Sequence, residues 1–283
     1  MNVQKKLIFS YIKLKIYSLS LISKRRAAQY AFKIFCTPIK NGQPKETPIF
    51  KNAEKLELLL DNIKIRGFRF NHPQAKKILV LHGFSSYSYK FDNYINALVQ
   101  KNYEVIAFDA PAHGQSDGTT LTAIEYKNMV HKIIEEYGPI QYFIAHSFGG
   151  LALCLAMEQM QVSSNIKIVL IAPATETTTA INSILKMLHL KIEKLKTAIY
   201  NHIFTVSGHH PHWFSIRRAI KNIPANFLWV HDEEDEITPL SDALKIKNDK
   251  VSHVQFLITK GLGHSKIYKD EVVKNAVINF LES

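Results

Sequence analysis

The chain has 283 residues, of which 46% are apolar and 21% charged, with 11 glycines and 10 prolines. This excludes a disordered, fibrous or low-complexity protein and leaves ample chain for a large core. The formal net charge of +12 is unevenly placed: Lys5, Lys6, Lys13, Lys15, Lys24, Arg25, Arg26, Lys33 and Lys40 supply +9 within the first 40 residues, which hold no Asp or Glu, and only +3 is left for the rest.

The basicity therefore belongs to an N-terminal arm. A nearly neutral body with no basic patch argues against a nucleic-acid partner. Residues 3–22 mix Leu, Ile, Phe and Tyr with lysines, and Lys5, Lys6, Lys13 and Lys24 share an arc of a helical wheel that Lys15 and Arg25 leave. Three readings stay open for residues 1–24: peripheral contact with an anionic membrane, a cleaved signal, or packing on the core. From Arg26 to Cys36 the stripe Ala27, Ala28, Ala31, Phe32, Phe35 predicts a helix ended by Thr37-Pro38. Asn41 to Lys51, polar with two prolines, reads as a linker. Two cysteines, Cys36 and Cys154, make neither a disulfide framework nor a zinc spacing, and no stretch reaches the roughly 18 uncharged apolar residues of a membrane span. A cytoplasmic location, with the arm as a membrane contact, fits both.

Short apolar runs and helical patterns then alternate. Leu56 to Ile65 and Gly67 to Phe70 read as a strand pair. Lys77 to Leu81, Tyr103 to Phe108, Ile140 to Ala145 and Ile166 to Ile171 read as strands. Phe91 to Gln100, Leu121 to Tyr137 and Phe148 to Met160 read as helices. The rhythm breaks over residues 174–222, which look helical and carry a His-rich turn. It resumes with strands Ala225 to Val230 and Val254 to Ile258 and helices Pro239 to Ile246 and Asp270 to Leu281. The expectation is a mostly parallel α/β sheet of about eight strands, covered on both faces. Its divisions are a basic extension and linker (1–50), a core (51–173 and 223–283) and a helical cap (174–222) inserted after the sixth strand. In such sheets ligands bind at the carboxyl ends of the strands.

The strongest chemical signal is Ile144-Ala145-His146-Ser147-Phe148-Gly149-Gly150. A serine between an apolar strand and an apolar helix, with small residues two positions to either side, suits a sharp turn that lifts its hydroxyl out of the sheet. A serine hydroxyl needs a base, and the base needs an orienting acid. Downstream, Leu228-Trp229-Val230 precedes the acidic run 232–236, and Phe256-Leu257-Ile258 precedes Gly263-His264. An acid after one strand and a histidine after the next would meet at the same sheet edge.

Together with Leu81-His82-Gly83-Phe84, Asp109-Ala110-Pro111-Ala112-His113-Gly114-Gln115-Ser116 and Asp235 to Pro239, these stretches resemble the α/β-hydrolase superfamily over roughly residues 55–283. The resemblance implies Ser147 as nucleophile, His264 as base and Asp235 as acid, with the backbone N–H groups of Phe84 and Phe148 as oxyanion donors. Ala145 stands where the family usually has Gly. The resemblance implies no cofactor and no metal, and a small acyl substrate as ligand. It implies an ester hydrolase, with thioesterase, amidase or carbon–carbon hydrolase as alternatives on the same triad, and a silent ligand-binding protein as the alternative of another class. His82, His113 and Asp109 are expected to be structural, His146 to point away from the nucleophile, and Asp232 to lie in a solvated loop. Trp213 and Phe214 are expected to line the substrate pocket, and His209, His210 and His212 to form a polar turn. Neither the substrate nor the oligomeric state is readable.

Overall fold

The computed structural model describes residues 3–39, 46–190 and 193–283. Residues 41–45 of the expected linker lie outside the described residues. In chain order the first elements are α1 (Val3–Ile22), α2 (Lys24–Phe35), α3 (Pro48–Lys51), β1 (Glu54–Leu60), β2 (Ile63–Phe70), β3 (Lys76–Leu81), α4 (Asp92–Gln100) and β4 (Tyr103–Phe108). The middle of the chain forms α5 (Ala123–Tyr137), β5 (Tyr142–His146), α6 (Phe148–Met157), β6 (Lys167–Ile171), α7 (Thr177–Met187) and α8 (Glu193–Ser207). It ends with α9 (Ile216–Ala219), β7 (Asn226–Asp232), α10 (Leu240–Asn248), β8 (Val254–Thr259), α11 (Gly263–Lys266) and α12 (Glu271–Glu282).

The chain divides into two compact units, Met1–Thr37 with Glu176–Phe214, and Pro38–Thr175 with Ser215–Ser283. By packing, the N-terminal helices thus group with the helices that follow β6, whereas the sequence set residues 1–50 apart as an extension.

The larger unit is an eight-stranded sheet in the order β1-β2-β4-β3-β5-β6-β7-β8. β1, β2 and β4 pair antiparallel, and every pairing from β4 through β3 to β8 is parallel. The parallel strands β4, β5 and β6 are almost wholly buried, which is why they read as continuous apolar runs. β1 instead alternates, burying Leu56, Leu58 and Leu60 on one face. The run expected as one strand from Leu56 to Ile65 is broken at Asp61-Asn62, whose φ of 45° and 66° make a tight hairpin turn. Asp and Asn tolerate that left-handed conformation through local side-chain hydrogen bonds, so no glycine marks the turn. α5 begins two residues later than expected because Thr122 caps it: the Thr122 hydroxyl accepts from Glu125 N, and the Glu125 carboxylate accepts from Thr122 N.

β7 runs two residues past the expected end at Val230. His231 and Asp232 stay in register with Ile258 and Thr259 of β8, and both are fully buried. Two polar residues ended the apolar run without ending the strand.

The smaller unit is helical. α1 packs on α2 and α2 on α8. Ser23 caps α2 by accepting from Arg26 N. The expected stripe is its packing face: Ala27, Ala28 and Ala31 are fully buried, as are Leu195 and Ile199 of α8, and the ring of Phe32 meets His202 edge-on at 5.1 Å. Alanines here let the helix axes approach closely.

Candidate active site

The site is built from the carboxyl ends of β5, β7 and β8. Ser147 follows β5 and precedes α6, with φ 53° and ψ −120°. A non-glycine residue at positive φ carries strain of about 1–3 kcal/mol, held here by its surroundings. Ser147 N donates to Ile171 O, and Ser147 O accepts from Gly150 N and Ala174 N. Two glycines admit the turn. A Cβ on Gly149 would lie 2.6 Å from His82 O, and one on Gly83 would lie 2.9 Å from Ser147 Cβ. The loop after β3 is thereby pressed against the serine turn, and the rings of Phe84 and Phe148 meet edge-on at 5.8 Å. The two residues expected to supply oxyanion donors are thus neighbours.

His264 Nε2 stands 3.1 Å from Ser147 Oγ, and His264 Nδ1 stands 2.8 Å from Asp235 Oδ2. Asp235 is buried and fully engaged. Its Oδ1 accepts from Ile237 N and Thr238 N, and its Oδ2 accepts from the Thr238 hydroxyl at 2.8 Å. Burial pushes its pKa up, but the hydrogen bond and charge of His264 and the Thr238 donors outweigh this and hold it below the usual carboxylate range. An ionised Asp235 keeps the imidazole proton on Nδ1. The Nε2 lone pair then faces the Ser147 hydroxyl, the geometry needed to take its proton.

Several residues that the sequence left in the background hold this arrangement. Asp232 was expected in a solvated loop; the structure corrects this. Its Oδ1 accepts from Glu234 N (3.0 Å) and Gly263 N (2.9 Å), and its Oδ2 from the Thr259 hydroxyl (2.7 Å) and Leu262 N (3.1 Å). The carboxylate clamps the backbone immediately before His264. Burial raises its pKa, but these donors together bring it below the ordinary value.

His231 holds the loop after β7 that carries Asp235. Its Nδ1 accepts from Trp229 Nε1, and its Nε2 donates to Thr238 O at 2.7 Å. His146 does more than sit beside the nucleophile, for its Nε2 donates to the backbone O of His264 at 3.2 Å. The signal for all three was position: each lies at or just inside the carboxyl end of a sheet strand, where a polar residue needs a reason.

His82 and His113 are structural, as expected. His82 Nδ1 donates to Gly83 O while Nε2 accepts from Ala110 N; His113 Nδ1 donates to Pro111 O while Nε2 accepts from Ser85 N. Each is locked as the neutral tautomer, and burial takes both to about 4. Asp109 accepts from Ser88 N and Oγ and from Gln115 N, bracing the turn after β4.

Trp213 and Phe214 lie in the helical unit, where their rings meet edge-on at 5.1 Å. The histidines of that turn are spread over three aromatic partners: His209 stacks on Trp213, His210 on Phe204, and His212 meets Tyr200 edge-on. No cluster of metal-ligating residues occurs among the described residues.

Residues 72–215, about half of the chain, match the family described as serine aminopeptidase, S33. Among curated proteins, the uncharacterized hydrolase YugF of Bacillus subtilis is 25% identical over 112 residues, so that the match spans 38% of this chain and 41% of that relative. Among solved structures, an esterase of Pyrococcus furiosus superposes with a TM-score of 0.64 at 19% identity, over 87% of this chain and 96% of that one. Est1E of Butyrivibrio proteoclasticus, solved with ferulic acid, gives 0.62 at 17% identity over 80% and 98% of the two chains. A monoacylglycerol lipase of Paleococcus ferrophilus gives 0.57 at 22% identity over 77% and 97%. The matched family segment runs from before β3 through the Ser147 turn, and the sheet around it is the one these hydrolases share; the chain belongs to the serine aminopeptidase S33 family, hydrolases of the α/β-hydrolase fold.

Proposed function

We propose that the protein hydrolyses carboxylic esters through an acyl-enzyme on Ser147. The observation that carries this is the continuous chain Ser147 Oγ, His264, Asp235, with 3.1 Å and 2.8 Å contacts and the serine held at positive φ. His264 Nε2 takes the Ser147 proton as Oγ attacks the acyl carbon. The carbonyl oxygen becomes an oxyanion, received by the backbone N–H groups of Phe84 and Phe148, each worth about 2.7–4 kcal/mol of transition-state stabilisation. Collapse expels the alcohol, protonated by His264, and leaves the acyl-enzyme. Water, activated by the same imidazole, then releases the acid and restores Ser147. Asp235 keeps the imidazole proton on Nδ1 and stabilises the imidazolium.

Esters are favoured over peptides because the structurally similar proteins include an esterase and a monoacylglycerol lipase. A fluorophosphonate probe should label Ser147 alone, and Ser147→Ala should abolish both labelling and turnover while leaving the thermal midpoint near the parent's. A panel of nitrophenyl esters, acyl thioesters and aminoacyl anilides then identifies the bond. Labelling at another residue, or an active Ser147→Ala variant, removes the assignment. Turnover of the anilides alone replaces the ester reading with that of an aminopeptidase.

A further inference from the structure

α1 carries apolar side chains on two sides. On one side Ile16 and Ser20 are buried and Phe9, Ile12 and Leu19 are half-buried, and α1 packs on α2. The other side stays in solvent: Leu7 is 66% exposed, Tyr11 59%, Leu14 66%, Leu21 70% and Ile22 77%. Leu7, Tyr11, Leu14 and Leu21 follow the i, i+4, i+7, i+14 spacing of a single stripe, which runs to Ile22 over about 20 Å at 1.5 Å per residue. A contiguous exposed apolar face on a helix marks something that covers it.

Charge identifies what. The segment 1–40 holds nine cationic residues and no carboxylate. Lys13, Arg25, Arg26 and Lys33 are exposed. A second copy of this chain would set one acid-free cationic segment against another, whereas a surface of lipid phosphates neutralises it. No described helix is long and apolar enough to cross a membrane, so α1 would lie in the interface plane. We propose that the Leu7–Ile22 face of α1 docks the protein on an anionic lipid bilayer, with the stripe among the acyl chains and the cationic side chains at the phosphate headgroups. The docking is independent of the reaction assigned to Ser147.

The test is flotation of the full chain with vesicles of phosphatidylglycerol and phosphatidylcholine, against phosphatidylcholine alone. The parent should bind the anionic vesicles and lose binding as salt rises from about 0.05 M to about 0.5 M, because the Debye length shrinks severalfold. Arg25→Gln with Arg26→Gln should weaken partition about 25-fold, since each basic residue near such a surface is worth about 1 kcal/mol, or about fivefold. Leu14→Glu with Leu21→Glu, both at exposed positions, should abolish binding while helicity and soluble-ester turnover stay at the parent's level. A parent protein that ignores anionic vesicles at low salt overturns the proposal, as does a stripe variant that floats as well as the parent. Light scattering that shows a dimer dissolved by the stripe substitutions assigns the face to a second copy and overturns it equally.

Discussion

Changing Asp232 to Asn tests whether the histidine is held through its backbone as well as through its ring. Four donors converge on the Asp232 carboxylate: Glu234 N and Gly263 N at Oδ1, the Thr259 hydroxyl and Leu262 N at Oδ2. A carboxamide offers one acceptor oxygen and one NH₂. With its oxygen at the Oδ1 position, the NH₂ faces Thr259, whose hydroxyl can turn to accept, and Leu262 N–H, which cannot. The opposite orientation strands two backbone donors instead. The better arrangement therefore leaves one buried N–H unsatisfied, at about 1–3 kcal/mol, and converts the remaining bonds from charged to neutral acceptors at a few tenths to about 1 kcal/mol each. The total is about 2–6 kcal/mol, or a fall in melting temperature of roughly 5–15 °C for a domain of this size. Because Leu262 and Gly263 lead directly into His264, turnover measured well below both melting points should fall at least about tenfold, the size of a 1.4 kcal/mol loss of positioning. Thermal unfolding and ester turnover on the same preparation read both effects. A midpoint within about 2 °C of the parent's, with turnover within about twofold, would refute the clamp.

Asp235→Asn should lower turnover by two or more orders of magnitude with little change in KM, because the amide favours the wrong imidazole tautomer; the corresponding change in a serine protease costs about 10⁴-fold. Acid should destabilise the fold from about pH 6 downward. Burial holds His82, His113 and His146 at about 4, about 4 and about 3, against about 6.5 when unfolded. Over that window the unfolded chain binds more protons, so stability falls with pH by up to about 1.4 kcal/mol per histidine per pH unit. Asp232 and Asp235, held below the usual range, stabilise the fold above about pH 4 and lose that contribution as pH drops through their folded values. Urea midpoints that stay flat between about pH 7 and about pH 5 would contradict the locked histidines. Finally, the expectation that Trp213 and Phe214 line the substrate pocket requires that Trp213→Ala and Phe214→Ala shift the preference between short and long acyl esters; an unchanged chain-length profile removes it.

The serine turn was legible because its requirements are compositional: small residues on both sides, an apolar strand before and an apolar helix after. His264 and Asp235 were legible only through their order along the chain and the resemblance that order carries. The hairpin at Asp61-Asn62 was missed because neither residue is glycine, and the tail of β7 because His231 and Asp232 are polar. A strand's apolar run stops where its side chains stop needing an apolar neighbour, and here the buried partners are hydrogen-bonding groups. The broken lysine arc of residues 3–22 left the arm's role open, and the apolar stripe Leu7, Tyr11, Leu14, Leu21 is visible only once the exposure of α1 is known. The contribution of His146 lies in a bond to a backbone carbonyl 118 residues away, which no local pattern encodes.

Asp232 and Asp235 stand three residues apart, one gripping the backbone that precedes His264 and the other gripping its ring. The histidine is thus held by a bracket with both arms on one short stretch of chain. Such a bracket has a fixed gauge: lengthening or shortening the turn between the two aspartates by a single residue would pull one arm off its target however good the rest of the sequence. The segment between β6 and β7, which contributes no residue to the bracket, carries no such constraint on its length. Beyond Ala174, whose N–H is held by Ser147 O, a change of length in that segment moves neither arm of the bracket, whereas the same change between the two aspartates moves one of them.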